Sequence, residues 1–511
     1  MSWKPEVRFT TKQSAAVPTE AAIEQALANG RVSNTALSIH QARKRRAAVA
    51  PYTRFAPSRL LHAHGHPHHW AVEVSDPSLD RSDETSVAIN PKHPHNIVAG
   101  AASFDGTQFI NTAYVTKDGG STWKTVTALT DTDEGAGIAF DDHGNCYYTT
   151  MQGGFFPVCV ISHDGGLTWS QPAAFGYGDK TAVAARGSIA LCGFDRVNTE
   201  ACAFTLDGGQ TWTVHDFTDS GMGTAPLVSY DHHSFYIIYA ALDNNLKMYA
   251  SHDQGQTWTG PTVIVAGNLF ESTIAGPLAY EGGALTSPGT NVAIDGHGRL
   301  HILYIDSTTS SPMYTSSHDK GVTWTIPVNV DPCHSSDTHM WPCLSVNRHG
   351  DLQGGSLLYN NALGRYSILH HVKAEDDDEW RTREADNGPW AAAGPSPNYR
   401  IGFGDYFDCD SLPSCGITAM AWSQSPNGQQ PWQTWVRIWD TCKPDEDHLE
   451  ALTNQVFYLE AAHKAGELPA PSTPESEKQF ATRLATLRTE HTAAQDQLAK
   501  RRAHNRLPED A

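Results

Sequence analysis

The chain has 511 residues, a net charge of −20, 42 glycines, 29 prolines and 14 tryptophans. No apolar run is long enough to span a membrane, and the acidic body argues against general nucleic-acid binding. This much Gly, Pro and Trp suits many short strands joined by tight turns, with large aromatics packed between layers.

The charge is uneven. Residues 1–70 carry ten Lys/Arg against three Asp/Glu, so a basic arm precedes an acidic remainder. Residues 19–29 and 34–49 read as helices separated by Gly30 and Asn34. The run Arg43-Lys44-Arg45-Arg46 reads as a solvated helix face or a strap on the acidic body, with RNA or a membrane as the other reading. The opening Met1-Ser2-Trp3-Lys4-Pro5 has no apolar signal core. His62, His64, His66, His68 and His69 form a tract that can take up zinc or copper. Single tracts on an arm usually bind metal adventitiously, so no metal or other cofactor is expected.

An internal repeat follows. Residues 116–123, 162–169, 205–212, 251–258 and 317–324 all fit Ser/Thr-x-Asp-x-Gly-x-Thr-Trp. Before each copy, an apolar strand, a polar turn and a second apolar strand recur, as in Ser86-Val87-Ala88-Ile89-Asn90 and Asn291-Val292-Ala293-Ile294-Asp295. Two further units lack a clean copy. One begins near Leu344, with residues 376–380 as its decayed box, and the last runs from Ile401 to near Trp439. That makes seven units over residues 75–441, with residues 70–74 a candidate added strand for ring closure. Residues 445–465 read as a helix. Thr473 and Pro474 open a last one, whose apolar stripe is Phe480, Leu484, Leu487 and Leu498.

The repeat resembles the Asp-box of the sialidase-like (BNR-repeat) β-propellers. Five copies, four of them about 45 residues apart, point to a propeller. The expected fold is all-β, a seven-bladed β-propeller with α-helical N- and C-terminal extensions. The expected division is a basic arm (1–70), an Asp-box propeller (71–441) and a helical tail (442–511). The box itself reads as structural. Its Asp accepts hydrogen bonds from turn amides, its Gly supplies positive φ, and its Trp packs on the neighbouring blade.

The resemblance also implies where chemistry sits: at the axis, on the face shared by the second-to-third-strand loops and the interblade connections. Asp105, Arg196 and Asp306 fall in such loops. Arg81, Asp83 and Glu84 precede the first inner strand, and Asp179, Lys180, Glu271, His339, Arg400, Asp405 and Tyr406 fall in connections. Sialidases grip a carboxylate with three arginines and use an Asp acid/base with a Tyr nucleophile paired to a Glu. Carried over, Asp105 is the acid/base, Tyr406 with Glu271 the nucleophile pair, and Arg81, Arg400 and Asp405 the substrate-binding groups. The family's Arg-Ile-Pro motif is absent, because Ser82-Asp83 follow Arg81, and Arg299 and Arg348 fall on or near the opposite face. Gly402-Phe403-Gly404-Asp405-Tyr406-Phe407 also resembles a segment common in the last blade of bacterial BNR-repeat proteins.

Eight of nine cysteines fall into close pairs: Cys146 with Cys159, Cys192 with Cys202, Cys333 with Cys343, and Cys409 with Cys415; Cys442 is left over. Symmetric placement about hairpins predicts that the first two pairs lie directly across paired strands. Oxidised pairs would imply an exported protein, against free, buried, small apolar residues as the alternative. Three functions remain open. The first is a glycan-processing enzyme, a glycoside hydrolase or lyase acting on an acidic sugar at the axial pocket. The second is a non-catalytic glycan-binding propeller, and the third a component of a larger assembly, joined to a protein partner through the arm or tail.

Overall fold

The computed structural model describes residues 71–76, 78–79, 81–132, 137–196, 199–267, 291–347, 350–375, 377, 379–386, 388–390, 407–412, 417–424 and 432–440, with Arg8–Phe9 and seven positions between 482 and 492. Among these residues the strands form seven sheets: six contain four consecutive antiparallel strands, one of these with an added parallel strand, and the seventh contains three consecutive strands completed by a strand from ahead of the first sheet. The seven inner strands contact one another in sequence around a closed ring. The fold is a seven-bladed β-propeller.

Strand sequence dictates this packing. Ile97–Phe104, the second strand of blade 1, is buried on both faces. Ile97, Ala99 and Ala101 enter the layer shared with blade 7, while Val98 enters the layer shared with blade 2. Successive side chains alternate sides, so a strand apolar at every position needs a neighbouring sheet on each face. Seven apolar clusters fill the seven seams. Trp123, Trp169, Trp212, Trp258 and Trp324, the five box tryptophans, each pack into the seam with the preceding blade, and Trp380 of the decayed box does the same.

The five boxes are built alike. Each Asp accepts from the hydroxyl two residues before it at 2.8 Å and from the hydroxyl four residues after it at 2.6 Å. It also accepts from the amide four residues after it, at 2.8–2.9 Å. The second box glycine has a packing reason besides its positive φ. A Cβ on Gly209 would lie 2.0 Å from Ile161 Cδ1 of the preceding blade. Partial burial pulls Asp207 up, but the bonds from Thr211 and Thr205 outweigh it and hold the carboxyl below its ordinary pKa.

Closure uses the added strand. Val72–Glu73 pairs antiparallel with Gln433–Asp440, Val72 opposite Val436, and completes blade 7 as its outermost strand. Val74 N donates to Thr434 O (2.9 Å), and Ser82 N donates to Trp432 O (2.9 Å). The last repeat unit ends at Asp440, one residue after Trp439, and the early strand supplies the blade's fourth strand. That blade's inner strand spans Asp408–Ser411, and blade 6 begins at Thr338, ahead of Leu344. Arg8–Phe9 adds a parallel fifth strand to blade 3, Arg8 opposite Thr211.

The expected cysteine pairs within hairpins do not exist. Cys146 lies opposite Ser162 and Cys159 opposite Thr149. Cys192 lies opposite Ala203 and Cys202 opposite Gly193. Hairpin centre and strand register differ by a residue or more, which turns the members of each pair into different seams. Cys333 is exposed while Cys343 is buried, and both are free thiols. Cys415 and Cys442 lie outside the described residues, as do the helices expected over 19–29, 34–49 and 445–465 and the histidine tract. The described positions between 482 and 492 are helical: Thr486, Thr489 and Thr492 donate to the carbonyls four residues back at 3.0, 2.9 and 2.9 Å. No helix among the described residues is long and apolar enough to cross a membrane.

Replacing Asp207 by Ala is expected to destabilise the protein by about 1–2 kcal/mol, the loss when a capping acceptor goes. Denaturant titration measures it, and an unchanged midpoint would contradict the role.

Candidate functional site: the axial ends of the inner strands

Four inner strands break register at one equivalent position. The ladder shifts between Asp83 and Ser86, Asp179 and Ala182, Met222 and Thr224, and Met340 and Cys343. At each shift one residue takes a left-handed backbone: Glu84 (φ 51°), Lys180 (φ 55°), Gly223 (φ 78°) and Trp341 (φ 45°). A β-bulge re-aims its side chains, and a left-handed backbone on Glu, Lys or Trp is strained. The bulges lie at the axial ends of the strands, where the interblade connections arrive. Asp83, Glu84, Asp179, Lys180 and His339 are thus inner-strand residues, not connection residues, and all five are buried. A threonine follows the bulge residue in three blades: Thr85, Thr181 and Thr224.

Beside these bulges, carboxyls close two seams. Asp195 ends the second strand of blade 3 and Glu200 begins the third. Thr224 Oγ1, from blade 4, lies 2.8 Å from Asp195 Oδ1 and 2.5 Å from Glu200 Oε2, and Gly223 N donates to Asp195 Oδ2 (3.1 Å). A hydroxyl has one proton, so it donates to one carboxyl and must receive a proton from the other. Burial raises both pKa values, Asp195 to about 7, and the mutual repulsion drives Glu200 further up.

At the closing seam, Asp408 Oδ2 accepts from Ser86 Oγ (2.6 Å) and Val87 N (3.0 Å). Asp410 Oδ2 accepts from Ile89 N (2.8 Å). Ser86 Oγ in turn accepts from Ile138 N (3.1 Å). One chain of bonds therefore joins the inner strands of blades 7, 1 and 2, whose edges have no ladder partner. Burial lifts Asp408 to about 7 and Asp410 to about 6, despite these bonds.

Blade 6 contributes a histidine network. His334 Nδ1 lies 2.8 Å from Asp331, and Ser356 Oγ lies 2.9 Å from both His339 Nδ1 and His371 Nε2. Burial lowers His339 to about 3 and His371 to about 4, so both are neutral, while the bond to Asp331 raises His334. No group of three or more His, Cys, Asp or Glu among the described residues is spaced to hold a metal ion.

The residues expected from the sequence divide. Asp105 caps its own turn, accepting from Thr107 N (2.8 Å), Thr107 Oγ1 (2.6 Å) and Gln108 N (2.8 Å). Slight burial raises its carboxyl, but these bonds win and hold it below the ordinary value, so it is ionised at neutral pH. Asp306 caps its turn in the same way. Arg196 clamps Asp216 (2.9 Å) and the carbonyls of Phe175 (3.1 Å) and Tyr177, and Arg299 holds Asp295 and Glu375. Arg81 begins the inner strand of blade 1, opposite Phe104. Glu271, Arg348, Arg400, Asp405 and Tyr406 lie outside the described residues.

Sequence reasoning missed the Asp195–Glu200 pair and the Asp408–Asp410 bridge. A signal existed for the second, since Asp408-Cys409-Asp410 puts acids at alternate positions of a strand expected to be buried.

No family model matches the chain, and no curated protein matches it. Solved structures share the propeller architecture at low identity. The BP39L lectin from Burkholderia pseudomallei is 11% identical, with 69% of this chain and 98% of the lectin covered at a TM-score of 0.45. A protein of unknown function from Dyadobacter fermentans is 12% identical over 73% and 98%, at 0.45. The NanB sialidase from Streptococcus pneumoniae is 10% identical over 57% and 67%, at 0.39. Seven blades, five of them with a box turn of the same build, make the chain a seven-bladed β-propeller in fold.

The seam carboxyls set a pH dependence. Asp195, Asp408 and Asp410 have folded pKa values above the unfolded value near 3.9. The folded state therefore binds more protons than the unfolded state from about pH 4 to 7, and stability falls as pH rises through that window. The box aspartates act oppositely, losing stability below about pH 4. The melting temperature is expected to be higher at pH 5 than at pH 8. Asp408→Asn, which keeps the acceptor, should flatten the decline; equal slopes in variant and parent would refute the assignment.

Proposed function

We propose that this protein processes an acidic glycan, as a glycoside hydrolase or lyase, at a single site on the axial mouth of the propeller. The observation that carries the reading is the set of bulged inner strands. One backbone position holds Glu84, Lys180, Gly223 and Trp341 in different blades, which favours one asymmetric site over a repeated lectin pocket. Buried charge on strained backbone is characteristic of functional sites. Lys180 supplies a cation for a sugar carboxylate, and Asp83 and Glu84 supply carboxyl groups.

In this reading Tyr406 is the nucleophile, activated by Glu271 as its base, because a phenol near pKa 10 is a poor nucleophile alone. Arg400 and Arg81 anchor the substrate carboxylate and Asp405 bonds a sugar hydroxyl. Asp105 is the acid/base of this reading: it takes up a proton before turnover, hands it to the departing glycosidic oxygen, and recovers one from the water that releases the sugar from Tyr406.

A second reading, binding without turnover, draws support from Asp105, whose carboxylate is already engaged by its own turn. A panel of chromogenic glycosides, including a sialoside and glycuronides, separates the two. Turnover is expected on an acidic member, with Tyr406→Phe and Glu271→Gln each lowering kcat about 10²–10⁴-fold at unchanged melting temperature, and Lys180→Gln mainly raising KM. Glycan-array binding with no turnover on any member would overturn the catalytic reading in favour of the second.

A further inference from the structure

We infer that two pairs of cysteines are sites for covalent cross-links between blades: Cys159 with Cys192 across the seam of blades 2 and 3, and Cys343 with Cys409 across the seam of blades 6 and 7. The first pair shares the apolar layer that holds Phe175 and Trp212. The second shares the layer that holds Trp422 and Trp439. All four are free thiols buried in these shared layers, and in each pair the neighbouring thiol adds to burial in raising its partner, Cys159 acting on Cys192 and Cys409 on Cys343.

Register explains why these partners meet. Cys159 sits in the third strand of blade 2 and Cys192 in the second strand of blade 3, and both side chains enter the shared layer. Cys343 and Cys409 sit on neighbouring inner strands, at positions one residue apart in the repeat, and reach one layer from opposite sheets. The other described cysteines have no such match. Cys146 and Cys202 point into other seams, and Cys333 is exposed.

Each cross-link joins two sulfurs and releases two protons and two electrons. An external disulfide accepts them and leaves as two thiols. In the closed ring the reaction is blocked: all four thiols are buried, and burial pushes Cys192 and Cys343 well above the ordinary thiol value, which removes the reactive thiolate. Oxidation therefore belongs to folding, as adjacent blades come together and before the seam excludes the external disulfide. The loops closed span about 30 and about 65 residues, so each bridge restricts the unfolded chain substantially.

The experiment refolds the full chain from denaturant, once in a mixture of reduced and oxidised glutathione and once in excess reduced thiol. Free thiols are then alkylated under denaturing conditions, and peptides are mapped without reduction. Two linked peptide pairs are expected from the oxidised sample, Cys159 with Cys192 and Cys343 with Cys409, each lighter by two hydrogens than its free parts. That sample should melt several degrees above the reduced one, and Cys159→Ser and Cys409→Ser should each abolish one link. Full alkylation of all four cysteines after oxidative refolding, or links joining Cys146 to Cys159 or Cys192 to Cys202, would overturn the inference. The peptide map of the parent protein decides this even where a Ser variant does not fold.

Discussion

A propeller blade cannot stand alone, because its sheet is apolar on both faces. The second strands show it most clearly: Ile189–Asp195 and Phe235–Ala241 are buried at every position. Each sheet needs two neighbours, and only a closed ring provides two for all seven. Closure is therefore the constraint on which the rest depends. Blade 7 is completed by Val72–Glu73, a segment that precedes blade 1 in the chain, so the ring holds only when the two ends of the propeller meet. The Asp408 and Asp410 bonds to blade 1 reinforce the same junction on its axial side.

In blades 1, 3 and 4 the Asp-box and the bulge divide the labour. The box lies at the turn into the outer strand, where its carboxylate satisfies local donors and its Trp fills the preceding seam. It repeats because seam geometry repeats, and its carboxylate is committed to its own turn. The bulge lies at the axial end of the inner strand, where strand edges face no partner and backbone groups must be satisfied by other means. There the residues diverge from blade to blade. Uniformity at one end and divergence at the other are what a ring needs in order to be regular in its packing and asymmetric at its mouth.

Buried carboxyls sit at the junctions of this ring rather than in open solvent. Asp195 and Glu200 share a proton through Thr224, and Asp408 trades hydration for amide and hydroxyl donors. Such groups are stable only with every lone pair and proton assigned. This ties the geometry of the mouth to the packing of the seams, since Gly223 and Thr224 belong to a bulge and to the carboxyl latch at once.

Local chemistry made several features legible in the sequence alone. The five boxes, the seven apolar strand pairs, the structural role of the box aspartates and the candidate closing strand at residues 70–74 all rest on short-range patterns: turn residues at fixed offsets and alternation with period two. The sequence also placed Asp105 in the right loop, yet not its commitment to Thr107 and Gln108. The cysteine partners were out of reach, because symmetry about a hairpin centre does not set register, and a shift of one residue sends a side chain to the other face. Which thiols meet, which carboxyls share a proton and which inner strands bulge were decided only by the tertiary structure. Each of these depends on contacts between blades, and the seam that brings Cys159 to Cys192 or Asp408 to Ser86 exists only once the ring has closed.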